Sequence, residues 1–141
     1  MTAADEWQDI LASRYRLGAR RAGVELDCLG TVLEVCKRLG ICAPDPWADL
    51  RRRWIAGDVA AASGFPPCWF RRAEPVGLRE GDVLLFYSTH PWVAIVARGY
   101  VWSADADLGS AYARPADRWR RKPAEVWTHD PAACPQGSAR D

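Results

Sequence analysis

Little in this chain suggests a metal, nucleic-acid or membrane protein. Its five cysteines, Cys28, Cys36, Cys42, Cys68 and Cys134, form no C-x-x-C pair, and its only histidines are His90 and His129. That spacing argues against a zinc cluster, and no cofactor is expected. Lysine and arginine total 19 against 18 aspartate and glutamate, a formal net charge of +1. Such a balance gives no reason to expect nucleic acid or an anionic surface as the main partner. No apolar run is long enough to span a membrane. The acidic start, Met1 to Glu6, followed by an amphipathic stretch, does not read as a signal peptide. The expectation is synthesis in the cytoplasm with mostly reduced thiols. An extracellular role would then need lysis or assembly into a particle, such as a virion tail or tail-like particle.

What is present is enough for a folded core. The chain has 141 residues, 49% of them apolar and 26% charged, which suits one globular domain. No repeat or linker divides it. Residues 1–130 are read as a single domain and 131–141, rich in Pro, Gly, Ser and Ala, as a flexible tail. The eight tryptophans read mainly as core filling, with a carbohydrate or peptide platform as the sharper alternative.

The first half reads helical. Trp7, Ile10 and Leu11 predict a first helix over 3–14. A polar loop, Ala19 to Glu25, follows. Asp27 is the N-cap of a second helix that starts at Cys28, runs to Leu39 and stops at Gly40. Leu29, Val32, Leu33, Cys36 and Leu39 mark its core face, and Thr31, Glu34 and Arg38 its wet face, with Glu34 and Arg38 at i,i+4 spacing. Asp45-Pro46 caps a third helix carrying Trp47, Leu50, Trp54 and Ile55. After Pro66-Pro67 the pattern changes to strands at 68–70, 83–87, 92–97, 100–104, 111–113 and 125–128. Helices first and an antiparallel sheet after is an α+β order.

Cys28 is the candidate that carries chemistry. A helix N-terminus presents N–H groups and the positive end of the helix dipole, which favour the thiolate, the nucleophilic form. Its own N–H could also donate to the oxyanion of a tetrahedral intermediate. The plain alternative is a small apolar core residue, like Cys36. A thiol nucleophile needs a base, and only His90 or His129 can supply an imidazole.

Tyr15-Arg16-Leu17-Gly18, then Asp27-Cys28-Leu29-Gly30, then Leu78-Arg79-Glu80-Gly81-Asp82-Val83-Leu84-Leu85-Phe86 form a set of blocks. Over roughly residues 7–129 they resemble the NlpC family of cysteine peptidases, in its phage-tail-associated version. The resemblance implies a reduced papain-like fold, with N-terminal helices packed on an antiparallel sheet. It implies hydrolysis of peptidoglycan stem peptides by Cys28, next to D-glutamate and diaminopimelate, with Tyr15 lining the substrate cleft. It also implies phage-tail or baseplate proteins as possible partners.

Two positions depart from the family pattern. Its strand opens His-Val-Ala-Ile, the histidine being the base, where this chain reads Trp92-Val93-Ala94-Ile95. The polar residue that orients the base falls at Trp102. Trp92 and Trp102 are therefore candidates to fill the cleft beside the thiol and to line bound substrate with Tyr15, the plain alternative being sheet packing. His90, two residues before Trp92, is the candidate base, since residues two apart in a strand share a face. His129 is the weaker candidate. Three functions stay open: a stem-peptide peptidase, a catalytically degenerate tail-tip or baseplate protein on the same fold, and a cysteine transferase or amidase.

Overall fold

The computed structural model describes residues 6–41, 68–74, 77–87, 91–130 and 132. The expected third helix lies outside these residues. So do Cys42, His90, Cys134 and, apart from Ala132, the expected tail 131–141.

The elements run α1 (Gln8–Leu11), β1 (Arg14–Tyr15), β2 (Arg20–Arg21), β3 (Glu25–Leu26), α2 (Cys28–Leu39), β4 (Trp69–Arg71), β5 (Val83–Tyr87), β6 (Pro91–Ala97), β7 (Tyr100–Asp105), β8 (Ser110–Pro115) and β9 (Glu125–His129). This is an α+β architecture. One sheet joins all nine strands in the order β2-β3-β1-β8-β7-β6-β5-β9-β4. Its pairs are antiparallel except β1 with β3, which is parallel.

The central strands lie where the apolar runs and the Gly turns predict them. Gly99, at φ 81°, closes the β6–β7 hairpin after Arg98, whose own φ is 53°. The sheet divides the apolar residues between two faces, as the period of a strand requires. Val93, Ile95 and Ala97 of β6 and Trp102 and Ala104 of β7 join α2 in one core. Ala94, Val96 and Val101 point to the other side with Leu84, Phe86 and Val126.

The first helix differs from its expected span of 3–14. It ends at Leu11 because the next residues are taken by other partners. The Ser13 hydroxyl donates to the Asp9 carbonyl at 2.9 Å and accepts from the Gly23 N–H at 2.8 Å. Arg14 N–H then donates to the Val24 carbonyl, and Arg14 and Tyr15 pair as a strand. The expected loop 19–25 is correspondingly a small hairpin, β2 and β3, turning at Gly23 with φ 84°.

α2 spans Cys28–Leu39, between Asp27 as N-cap and Gly40 in the left-handed conformation at its C-terminus. The Ile41 N–H bonds back to the Cys36 carbonyl at 2.9 Å, closing the last turn. Arg38 bonds Glu34 at 2.9 Å and also Asp9, tying α1 to α2. That guanidinium holds the Asp9 carboxyl below its ordinary range. The expected wet face is wrong at one position: Thr31 is fully buried, and Val35 is buried as well. The hairpin that passes over the start of α2 covers a second side of the helix, which a one-face reading misses.

The strand registers fix which parts of the molecule share an end. Tyr87 pairs with Pro91, Ile95 with Trp102 and Asp105 with Ser110. Tyr87, Pro91, Asp105 and Ser110 thus mark one end of the sheet. Tyr15 N–H bonds the Gly109 carbonyl at that end, and β3, running parallel to β1, leads out there into Asp27 and Cys28. α2 then crosses β7 and β6 toward the other end. There Ile41 meets Gly81, whose N–H donates to the Val96 carbonyl at 2.7 Å.

Candidate active site

Cys28 is the first residue of α2 and is half-buried against the helix-side core. The residues around it hold the helix start firmly. The Asp27 carboxylate is 3% exposed. Its Oδ1 accepts from Gly30 N–H at 2.6 Å and from Arg20 Nη1 at 2.8 Å, and its Oδ2 accepts from Gly18 N–H at 2.7 Å. A buried carboxylate is costly unless donors surround it, and here they do. Arg20 has a further effect. By pairing with Asp27 it offsets a negative charge that would otherwise oppose the positive end of α2 beside the thiol. Thr31 completes the turn, its hydroxyl donating to the Asp27 carbonyl at 2.9 Å.

Gly30 explains itself by contact. An ideal Cβ there would lie 2.3 Å from the Ala19 carbonyl oxygen. The hairpin loop therefore lies flat on the first turn because residue 30 has no side chain. Sequence reasoning missed Gly18, Ala19 and Arg20 as parts of this clamp. The available signal was Gly30 itself, a poor helix former inside a helix.

The expected partners are placed as follows. Tyr15 is half-buried, packs on the helix-side core and lies at the Cys28 end of the sheet. Trp102 is on the helix-side face and fully buried. Its Nε1 donates to the Ala97 carbonyl at 2.9 Å, and its ring meets Trp7 at 5.1 Å and Tyr100 at 6.2 Å. That is a core residue with its polar atom satisfied, aimed toward the β6–β7 hairpin rather than into an open cleft. Trp92 is on the opposite face. It stacks on Phe86 at 3.9 Å and meets the edge of Trp119 at 6.5 Å. The reading that both rings fill the cleft beside the thiol thus fails for Trp92, because Val93 and not Trp92 takes the inward position on β6.

The candidate base His90 lies outside the described residues; Pro91, which follows it in sequence, begins β6 at the Cys28 end of the sheet. His129 ends β9, at the end of the sheet where α2 finishes, with β1, β8, β7, β6 and β5 between β9 and β3. Its ring packs edge-on against Trp69 at 5.1 Å, and burial lowers its pKa from 6.5. Among the described residues, no imidazole is brought to Cys28.

Among the described residues no group of acidic, histidine and cysteine side chains could hold a metal ion. No described helix is long and apolar enough to cross a membrane. No protein-family model matches the chain, and no curated protein does.

Proposed function

We propose that this chain is a cysteine peptidase of the NlpC type, on a papain-like fold, that hydrolyses peptidoglycan stem peptides, acting as a component of a phage tail or tail-like particle. The observation that carries the reading is Cys28 at the first position of a clamped helix, at the end of the sheet where β6 begins. In this reading the Cys28 thiolate attacks the peptide carbonyl carbon, and the oxyanion formed takes a hydrogen bond from the Cys28 N–H. His90, just before Pro91, accepts the thiol proton and returns it to the leaving amine. Water then hydrolyses the thioester, and the thiol is restored. Tyr15 lies along the same end of the sheet, where it would border bound peptide.

A second reading has its own support. The two positions where the family pattern carries its base and the residue that orients it hold tryptophans, of which Trp102 fills the helix-side core and Trp92 stacks on Phe86 on the face away from α2. A catalytically degenerate tail-tip or baseplate protein would have this arrangement.

Purified protein incubated with muropeptides separates the two. The peptidase reading expects Cys28→Ala to abolish release of new amines. It expects His90→Ala to slow release by about 10²–10⁴-fold, the usual worth of a general base, and His129→Ala to leave it unchanged. Intact muropeptides with the wild-type protein, or turnover by Cys28→Ala, would overturn it.

A further inference from the structure

The sheet face turned away from α2 ends in a strip of unpaired positive charge. Arg114 at the end of β8 and Arg118, Arg120, Arg121 and Lys122 just beyond it are all exposed. Among the described residues none of them forms an ion pair, although Arg16, Arg20, Arg38, Arg71, Arg72 and Arg98 all do. With a net charge of +1 for the whole chain, this strip is a local concentration and not a general excess.

Two of these arginines are held in place by rings. The Arg121 guanidinium lies 5.0 Å over Trp92, and that of Arg114 lies 5.0 Å over Tyr112. The rings are themselves anchored. Trp92 is stacked on Phe86 with 8° between the planes, and Trp119 edges both. Burial raises the Tyr112 pKa and the nearby Asp105 carboxylate acts the same way, while Ser103 and the positive charges of Arg114 and Arg121 oppose the shift. An arginine seated on a ring keeps its N–H edge outward and loses little freedom when it binds a planar oxyanion.

Trp7 offers the comparison within the same molecule. Arg38 and Arg98 both lie over its ring, and each also holds a carboxylate, from Asp9 and Glu6. At Trp92 and Tyr112 the ring and the guanidinium are present, and among the described residues no carboxylate is paired with either guanidinium. Trp92 has one face against Phe86 and the other under Arg121, which leaves no face for a nucleobase to stack on.

We propose that Arg121 and Arg114, seated on Trp92 and Tyr112 on the sheet face opposite Cys28, form with the exposed Arg118, Arg120 and Lys122 beside them in sequence a docking surface for an acidic segment of a partner protein. The surface does not depend on whether Cys28 is catalytic. Rim charges of this kind set encounter rate and salt dependence, and the ring-held arginines supply the directional contacts.

Fluorescence anisotropy with a labelled oligo-glutamate peptide tests this, with labelled oligothymidylate of equal charge as the second arm. The peptide is expected to bind at low salt, to be released by added salt, and to bind more tightly than the oligonucleotide. The variant Arg114→Gln/Arg118→Gln/Arg121→Gln is expected to weaken peptide binding on the order of tenfold, from three exposed ion pairs. If that variant does not fold, Arg118→Gln/Lys122→Gln, which disturbs no ring contact, is expected to weaken it about threefold. Arg14→Gln/Arg21→Gln, on β1 and β2, is expected to change nothing. Absence of binding at low salt, unchanged binding in the first variants, equal loss in the Arg14/Arg21 variant, or tighter binding of oligothymidylate would each overturn the proposal.

Discussion

Replacing Gly30 by alanine should destabilise the protein, although the same change stabilises most helices. Gly30 lies inside α2 with no positive φ. On propensity alone alanine there should add about 1 kcal/mol. The added Cβ would, however, stand 2.3 Å from the Ala19 carbonyl oxygen and 3.2 Å from Leu26 Cδ2. The nearest atom is backbone, so no rotamer change relieves the clash. Either the helix start or the hairpin must move. If the hairpin moves, the Asp27 N–H bond to the Ala19 carbonyl is lost, and Arg20 and Gly18 are drawn from the Asp27 carboxylate. Overpacking of this kind costs roughly 1–3 kcal/mol, and two weakened bonds to a buried carboxylate add about 1–2 kcal/mol. After the propensity gain the net loss is about 1–4 kcal/mol. For a domain of this size that lowers Tm by roughly 3–15 °C. Thermal unfolding followed by circular dichroism measures it. An unchanged or higher Tm would mean that the hairpin does not press on α2, and the account of the clamp would fail with it.

Cys28 should alkylate before Cys36 and Cys68. It is half-buried at a helix N-terminus, whereas Cys36 is 1% and Cys68 0% exposed. Limited iodoacetamide treatment near neutral pH, read by peptide mass spectrometry, checks the order, and labelling of Cys36 first would contradict it. His129 should make stability fall on the acid side. Burial depresses its folded pKa below the ordinary 6.5, so the unfolded chain takes up the proton first. Its contribution is complete above about pH 6.5 and is lost as pH falls through the lower folded value. Tm measured at about pH 7.5 and about pH 5 should drop less in His129→Gln than in the wild type; an equal drop would place the titration elsewhere.

Much of the fold was legible because its signals are local. Asp27, Gly40 and the apolar spacing between them set the limits of α2 without help from the rest of the chain. The strands from Val83 to Asp105 announce themselves by short, nearly continuous apolar runs and by the glycines that turn them. The parts that were not legible depend on contacts distant in sequence. α1 stops at Leu11 because Ser13 and Arg14 are claimed by Gly23 and Val24, and nothing near residue 12 says so. Thr31 is buried because the hairpin 19–26 crosses the helix, while its own neighbours suggest a wet face. The site divides in the same way. The cysteine and its cap could be read directly. The side of the sheet taken by Trp92 could not, because a strand pattern fixes alternation but not its phase. Apolar residues occupy both faces of β6, so only the packing of α2 chooses between them.

That choice of phase leaves the clamp and the chemistry as separate questions. Asp27, Arg20, Gly18 and Gly30 are each accounted for by folding alone. They cap a helix, neutralise a buried carboxylate and let a hairpin close over the first turn. A protein with no catalytic function would need all of them to hold this shape. Cys28 is different. The first position of a helix accepts most residues, and a half-buried thiol there gains less from packing than the fully buried Cys36. Stability gives little reason for sulfur at that position, whereas nucleophilic chemistry gives a specific one. The case for an enzyme therefore rests on one atom and on what meets it. The described residues leave its partner to experiment, and His90→Ala is the variant that decides it. The clamp fixes the position of the thiol under either reading. Only an imidazole brought beside it would make that thiol a catalytic one.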